Sequence, residues 1–553
     1  MSYAILRRVR RLSQVAFLLL FLLLLVWTEF RGSLHAAGGD IRLPSALRIF
    51  LEADPLVALG NVLSTRALYR GLLWALVIIV PTLFLGRFFC GWICPLGTLS
   101  HFLGNLRSDS KRGRRRIESN RYQRWQTFKY YLLVVLLVAA LFGGGVLGIF
   151  DPISLAVRSL AVSILPATSY SLNALLNWLS KSPATILRST ADALGFLLKG
   201  TVLSFRQPYF RQGFFLGVIF IAILALNLRI TRFWCRALCP LGALLGLLSR
   251  WSILGLEKRP GQCEDCNRCL LYCQGGDDPI PGSDWRKAEC HLCLNCVAEC
   301  PESGIQFRFF PGREGMTETA NLQRRKVLTS AGAGLALLPL LRSATGLAAE
   351  RNARLIRPPG ALDENAFLAR CVRCGECMKV CPNNALHPTL TQAGLEGIWT
   401  PVLVARIGYC EPSCVLCGQV CPTGAIWEIA PREKAWATPA DPNAKPVRVG
   451  TAFYDHGRCL PWAMATECIV CEEWCPTSPK AIYLRPAEVV DSQGRMKKVR
   501  QPYLDPERCV GCGACEFACP VQDRPAIYVT SIGESRSPSN QILLSRPKPG
   551  WRT

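Results

Sequence analysis

Histidine is scarce in this chain of 553 residues: there are five, His35, His101, His291, His387 and His456. None falls inside a long apolar run, which excludes the paired axial ligands that a membrane-embedded haem b would need. The chain has no Cys-x-x-Cys-His sequence for covalent haem attachment, and it has no flavin-attachment motif. Acidic residues are also sparse, 39 Asp and Glu against 64 Lys and Arg. The imbalance is uneven, because from Glu350 onward 24 basic residues face 20 acidic ones. Most of the excess therefore lies earlier, beside apolar segments. That distribution points to membrane topology rather than to nucleic acid.

Cysteine is abundant. The 28 cysteines would suggest disulfides in a small secreted scaffold, but here they fall at short, repeated ligand spacings. Half of all residues are hydrophobic, and the length allows about three or four domains.

Residues 1–250 read as a membrane domain. Arg7, Arg8, Arg10 and Arg11 precede an apolar run over 12–30, with further runs at 71–89, 130–150 and 213–228. The first three are long enough to span a bilayer; the fourth is short and needs tilt or flanking residues. No small-residue cleavage site follows the first run, so it reads as an anchor. Lys111-Arg112-Gly113-Arg114-Arg115-Arg116 lies between the second and third runs. The positive-inside rule places it, and the N-terminus, in the cytoplasm; RNA or lipid headgroups are the alternative partners of such a cluster.

This half repeats itself. Arg87-Phe88-Phe89-Cys90-Gly91-Trp92-Ile93-Cys94-Pro95-Leu96-Gly97 recurs as Arg232-Phe233-Trp234-Cys235-Arg236-Ala237-Leu238-Cys239-Pro240-Leu241-Gly242. Each copy follows an apolar run, and Asp54-Pro55 and Asp151-Pro152 precede them. A unit of two spans returns to its starting side, so the copies share one orientation and face each other. Cys90, Cys94, Cys235 and Cys239 would then meet near the cytoplasmic surface, either as a seventh cluster site or as structural or redox thiols without metal. In the outer loops, Leu172, Leu175, Leu176 and Leu179, and Leu187, Ala191, Leu194 and Leu198, recur at helical spacing. They predict short amphipathic helices, which would cover lipid-facing surface or roof a quinone pocket.

Residues 255–312 hold two C-x2-C-x2-C-x3-C runs, Cys263/Cys266/Cys269/Cys273 and Cys290/Cys293/Cys296/Cys300. In paired runs the fourth cysteine serves the other cluster. The expected [4Fe–4S] sites are thus Cys263/Cys266/Cys269/Cys300 and Cys290/Cys293/Cys296/Cys273. Zinc is the competing ligand chemistry, but short loops of soft thiolates with amide N–H groups aimed at sulfur suit iron.

At 320–349 lies Gln323-Arg324-Arg325-Lys326-Val327-Leu328-Thr329-Ser330, followed by an apolar Gly/Ala/Leu segment. That is the pattern of a twin-arginine export signal, placed in mid-chain. It would carry a folded, cofactor-loaded domain across the membrane, and it stays as a fifth span unless cleaved. An ordinary helix start is the alternative.

Residues 350–530 carry four more runs: Cys371/Cys374/Cys377/Cys381, Cys410/Cys414/Cys417/Cys421, Cys459/Cys468/Cys471/Cys475 and Cys509/Cys512/Cys515/Cys519. Exchange within consecutive pairs predicts Cys371/Cys374/Cys377/Cys421, Cys410/Cys414/Cys417/Cys381, Cys459/Cys468/Cys471/Cys519 and Cys509/Cys512/Cys515/Cys475. Two irregular first gaps leave that partition less firm than the ligand set. Residues 439–446 read as a Pro/Ala-rich connector, and 531–553 as a polar tail.

With these motifs in place, the first ~310 residues resemble the NapH-type membrane polyferredoxins, associated with periplasmic nitrate reductase. The features that match are the four spans, the two CxxxCP motifs and the two-cluster ferredoxin end. From Arg324 on the chain is similar to the NapG/MauM ferredoxins, including Cys410-Glu411-Pro412-Ser413-Cys414 and Cys468-Ile469-Val470-Cys471-Glu472-Glu473-Trp474-Cys475-Pro476. The departure is that both halves are one polypeptide. The resemblance implies quinol oxidation with electrons delivered to a periplasmic cytochrome or reductase. It also implies partners in the lipid and quinone pool and other membrane subunits, and no nucleic acid. The CxxxCP motif also resembles that of the NosR and CcoG families, which implies a second reading, redox maturation or regulation of another metalloenzyme. The expected fold is multidomain: an α-helical membrane domain of four spans in two repeats, plus α+β bacterial-type ferredoxin modules. The expected place is the bacterial inner membrane, with the first module cytoplasmic and the last four clusters periplasmic. A hydrocarbon core of about 30 Å separates the two sets.

Overall fold

The computed structural model describes residues 3–30, 42–43, 47–106, 113–201, 207–263, 266–312, 316–317, 322–434, 446–537 and 540–541. His35, Lys111-Arg112, residues 439–445 of the expected connector and most of the expected tail lie outside the described residues.

Helices build the first half, in the order α1 (Tyr3–Trp27), α2 (Pro55–Thr65), α3 (Arg70–Leu85), α4 (Pro95–Leu106), α5 (Phe128–Leu141), α6 (Pro152–Ser180), α7 (Thr185–Thr201), α8 (Gly213–Leu226) and α9 (Pro240–Leu248). Among the described residues, three helical stretches are long and apolar enough to cross a membrane: α1, Arg114–Leu141 (which ends in α5) and α6. α2, α3 and α8 are apolar but shorter. Two sequence expectations shift here. The run at 130–150 stops being α-helical at Leu141, where three consecutive glycines follow and Gly143 takes φ +86°. The first outer-loop helix is the end of the long α6, which passes through a five-residue π-turn at Leu160–Ile164. Its Leu172, Leu176 and Leu179 pack against Ala191 and Leu198 of α7. The two stripes therefore cover each other in part, while Leu175, Leu187 and Leu194 stay exposed.

The repeated Asp-Pro steps have a local cause. Asp54 caps α2, its carboxylate accepting from Leu56 N–H at 2.7 Å, and Asp151 caps α6, accepting from Ser154 N–H at 2.6 Å. Each following proline sits at the first helical position, where a missing N–H costs nothing. A cap of this kind stabilises its helix by about 1 kcal/mol.

The two cysteine-rich regions cap opposite ends of this helical body. The first, closed by the antiparallel pair Leu254–Lys258 and Ile305–Phe309, meets the start of α5: Lys129 pairs with Glu289 and Tyr130 donates to Glu289 at 2.9 Å. The second meets the far end of α5, where Gly145 N–H donates to Glu396 at 3.0 Å and Arg373 donates to the Gly145 carbonyl. Both docks rely on glycine. A Cβ on Gly91 would lie 2.0 Å from the His291 carbonyl oxygen, and one on Gly145 1.9 Å from that of Leu368. α1 runs between the same ends: Tyr3 reaches the Phe307 carbonyl, and the Thr28 carbonyl accepts from Lys379.

The segment that opens with Arg324-Arg325 forms α10 (Arg324–Arg351), 28 residues long, or about 42 Å at 1.5 Å per residue. It lies parallel to α5: Gln323 N–H donates to Tyr131, Gly334 abuts Val135 and Val138, and Leu338 faces Gly144. α10 thus carries the chain from the first cysteine-rich region to the second along the full depth of the helical body. In the second region, four strands pair as Leu386–Pro388 with Pro401–Leu403 and Thr451–Tyr454 with Ile527–Thr530, and the long hairpin Ile482–Val490/Met496–Leu504 adds two more.

Candidate iron–sulfur sites and their connections

Each cysteine run in the second region folds as a loop closed by a helix of one turn. α11 (Glu376–Lys379) contains Cys377, and corresponding turns at Leu416–Gln419, Val470–Glu473 and Ala514–Ala518 contain Cys417, Cys471 and Cys515. The chain enters α11 and the last of these turns through Gly375 and Gly513, at φ +84° and +86°. That left-handed conformation carries no Cβ penalty for glycine, which is why the runs read Cys-Gly-x-Cys there.

Six groups of four thiols result. Cys263, Cys266, Cys269 and Cys300 line one cavity of about 410 Å³. Cys381, Cys410, Cys414 and Cys417 line another of about 350 Å³, and Cys475, Cys509, Cys512 and Cys515 a third of about 320 Å³. Cys421 comes within electrostatic reach of Cys371, Cys374 and Cys377, and Cys519 does the same with Cys459 and Cys471, whose own partner is Cys468. Cys273 meets Cys293, which neighbours Cys290 and Cys296. Among the described residues, no three Cys, His, Asp or Glu side chains converge on a point that would hold one ion. Thiolates around a single zinc would stand roughly 3.8 Å apart. The cysteines ring cavities instead, a shape that suits a cubane.

The surroundings suit anionic sulfur. N–H groups of Ala385, Ile426 and Ala452 donate to Cys381, Cys421 and Cys509 at 3.3–3.4 Å. Lys434, fully buried, places Nζ 3.2 Å from Cys410 Sγ and also donates to the carbonyls of Glu411 and Cys414. Without metal, burial pushes the Cys269 and Cys459 thiols up to about 12 and Cys471 to about 11. Cluster binding therefore expels protons and couples to folding. Glu376, between Cys374 and Cys377, buries both carboxylate oxygens without a hydrogen-bond partner, and burial pushes its carboxyl up to about 7.

The groups form a series. Cys377 of the first interacts with Cys417 of the second. The Cys410 N–H donates to the Cys512 carbonyl at 2.8 Å, joining second to third. Cys515 of the third interacts with Cys471 of the fourth. Tyr409, Trp474 and Phe517, one from each of three runs, touch one another with ring centroids 5.5–5.8 Å apart. The first group abuts the helical body: Gly375 packs against Val162 and Arg158, and Arg158 donates to the Arg373 carbonyl at 3.0 Å. The fourth lies beside the stacked His456 and Trp462, with centroids 4.0 Å apart.

At the opposite end, Cys90, Cys94, Cys235 and Cys239 are all buried and close enough to interact electrostatically. The two repeats meet crosswise. Cys94 and Cys239 precede α4 and α9, and each thiol accepts from the glycine N–H three residues on, Gly97 at 3.4 Å and Gly242 at 3.2 Å. Arg232 of the second repeat donates to the Cys90 carbonyl at 2.7 Å, and Arg87 of the first packs against Gly242 and Cys239. Arg87 and Arg232 each keep Nε and Nη2 buried without a hydrogen-bond partner. Helix N-termini and guanidinium groups thus surround four thiols with positive potential. This site touches the first module through Trp92, which donates to the Leu292 carbonyl at 3.0 Å. Sequence reasoning missed the two arginines as site residues, although each stands three places before a repeated cysteine. It missed Lys434 because nothing local connects it to Cys410.

Comparison with known proteins matches four stretches. Residues 67–115 and 212–257, which contain the two CxxxCP motifs, match a family described as "4Fe-4S binding domain". Residues 437–522 match a "4Fe-4S dicluster domain" and 368–387 a second "4Fe-4S binding domain". The methylamine utilization ferredoxin-type protein MauM of Methylorubrum extorquens is 36% identical over 248 residues, 41% of this chain and 100% of MauM. The ferredoxin-type protein NapG of Escherichia coli is 36% identical over 213 residues, 38% of this chain and 84% of NapG. The ferredoxin-type protein NapF of Escherichia coli is 33% identical over 175 residues, 32% of this chain and 85% of NapF. No solved structure matches. The chain belongs to the MauM/NapG family of ferredoxin-type proteins, here fused to a membrane polyferredoxin-like region.

Proposed function

We propose that this protein is a membrane-bound quinol-oxidising electron-transfer protein of the bacterial inner membrane. It passes electrons through its exported cysteine groups to a periplasmic cytochrome or reductase. The observation that carries this reading is the unbroken series of four thiol groups, one end seated on the helical body and the other beside the His456–Trp462 stack. We assign six [4Fe–4S] clusters to the six groups, and a seventh to Cys90, Cys94, Cys235 and Cys239, where the unpartnered guanidinium atoms suit an anionic occupant. Such clusters supply one-electron transfer when bound. The chain holds the thiols buried, aims N–H groups at sulfur and keeps neighbouring sites in contact. On this reading α10 is a retained fifth span, and the first module stays cytoplasmic.

The test is anaerobic mixing of the purified chain, in lipid nanodiscs, with menaquinol or ubiquinol while iron–sulfur EPR signals are followed. Reduction within the mixing time of a stopped-flow instrument supports the proposal. Absence of reduction at any rate by either quinol refutes it. That outcome would favour the maturation reading, for which the buried CxxxCP thiols are the supporting observation.

A further inference from the structure

A cavity of about 150 Å³, open to the outside, lies where the end of α1, the π-turn of α6 and the ligand helix α11 meet. Val26, Leu165, Leu172 and Pro208 make it mostly apolar, and Glu29, Thr168, Ser169 and Lys379 supply polar groups. We propose that this cavity binds the quinol head group and is the point at which electrons pass into the exported series. The proposal rests on the quinol-oxidation reading above and names its site.

Three independent features converge here. The first is connection: Lys379 lines the cavity and stands two residues beyond Cys377 on the same one-turn helix. The cavity therefore adjoins the helix that carries a thiol of the first group. The second is depth. Val26 and Glu29 flank the end of α1, where Trp27 is half-exposed, and tryptophan favours the membrane–water interface. An isoprenoid tail can remain in lipid while the ring enters. The third is backbone geometry. The α-helix breaks into a π-turn at Leu160–Ile164, which re-aims Ala161 and Leu165 into the cavity wall; such turns mark functional positions in helices. Lys379 Nζ donates to the Thr28 carbonyl at 3.0 Å, which fixes its ammonium at the rim.

Oxidation of one quinol breaks two O–H bonds and releases two electrons and two protons. Cys371, Cys374, Cys377 and Cys421 would hold the iron–sulfur centre that, when bound and oxidised, would accept these electrons one at a time. The protons pass to the Glu29 carboxylate and on to the solvent outside, and the quinone returns to the lipid. This position removes the need for electrons to cross the hydrocarbon core.

The test uses the full chain in nanodiscs and a photoreactive azidoquinone. Irradiation should label peptides spanning residues 26–29 and 165–172, with labelling suppressed by excess unmodified quinone. Ser169→Trp and, as a second filling variant, Leu172→Trp should each cut labelling and raise the KM for quinol at least about tenfold. Iron content and dithionite-reduced EPR spectra should match the unmodified chain. Labelling confined to other peptides, or an unchanged KM in both filled variants while quinol still reduces the clusters, overturns this site and leaves the quinol-oxidation reading standing. Failure of quinol to reduce the unmodified chain overturns both.

Discussion

Replacing Lys434 with methionine should lower the reduction potential of the site held by Cys381, Cys410, Cys414 and Cys417. Lys434 is fully buried, and its Nζ lies 3.2 Å from Cys410 Sγ. Burial works against its charge, yet Cys410 and Cys414 hold it protonated above the usual lysine range. Reduction adds one negative charge spread over irons and sulfurs. Centring that charge roughly 6 Å from Nζ, at an effective dielectric of about 20, gives ~3 kcal/mol of attraction. For a one-electron couple this corresponds to about 120 mV. Methionine keeps the volume and removes the charge. It also frees the Glu411 and Cys414 carbonyls, which changes the local dipoles without restoring a cation. The assay is an EPR-monitored redox titration of the anaerobic protein, with Lys480→Met as the control, since Lys480 is half-exposed and pairs with Glu472 at 2.7 Å. One signal should move down by on the order of 100 mV while the others stay in place. A shift under about 20 mV, or ~0.5 kcal/mol, refutes the electrostatic role given to this lysine.

The thiol groups predict their own deletions: Cys421→Ser should remove the signal of the first group and Cys381→Ser that of the second. Each should lower iron by about four per chain, and loss of the same signal from both variants would contradict the exchanged pairing. Glu364 predicts a pH dependence. It is buried, but Arg357 at 2.5 Å and Arg536 at 2.9 Å pull its carboxyl from 4.5 down to about 2. Because the folded value is depressed, its contribution of about 3 kcal/mol is fully present above the unfolded value and is lost as pH falls through about 2. Denaturation of Glu364→Gln against the unmodified chain should therefore show a gap at pH 7 that narrows from pH 4.5 downward; a gap independent of pH contradicts the linkage. A C-terminal reporter active only outside the cytoplasm should be active, and activity confined to a cytoplasmic reporter would reverse the proposed orientation.

The cysteine runs were legible because their spacing is local, and the exchange of fourth cysteines between runs is a consequence of how two such loops stack. The structure gathers those same residues around shared spaces even where the first gap is long, as between Cys459 and Cys468. The helical half was less legible. Hydropathy alone cannot distinguish a run that stays helical from one interrupted at Gly143-Gly144-Gly145, nor see that Leu172 and Leu176 would find their apolar partner in α7. A pocket beneath the Leu172 stripe was one of two sequence readings, but its walls were beyond sequence reasoning, because Val26, Leu172 and Lys379 meet only after three distant segments dock. The Asp-Pro repeat was visible, but its physical meaning, a cap followed by a proline at the first helical position, needed the backbone.

Fusion of the two halves has a structural consequence that separate subunits would lack. α10 begins beside Tyr131, at the same end as Lys129 and Glu289, and runs with α5 to the end where Gly145 meets Leu368. The second region is therefore delivered to its docking face by a rod of fixed length, about 42 Å, rather than by diffusion. Tethering converts docking into an intramolecular step with a high effective concentration, so the interface can be small and still remain closed. Such an interface can rely on close backbone approach, and it does: Gly145 and Gly148 admit the carbonyls of Leu368 and Val372, where a Cβ would come within 1.9 and 2.3 Å. Lys379 then completes the wall of a cavity whose other residues belong to α1 and the residues just after it, α6 and the segment before α8. A site shared across that seam exists only while the seam is closed, so the tether and the glycines act on the same quantity, the fraction of molecules in which the cavity wall is complete.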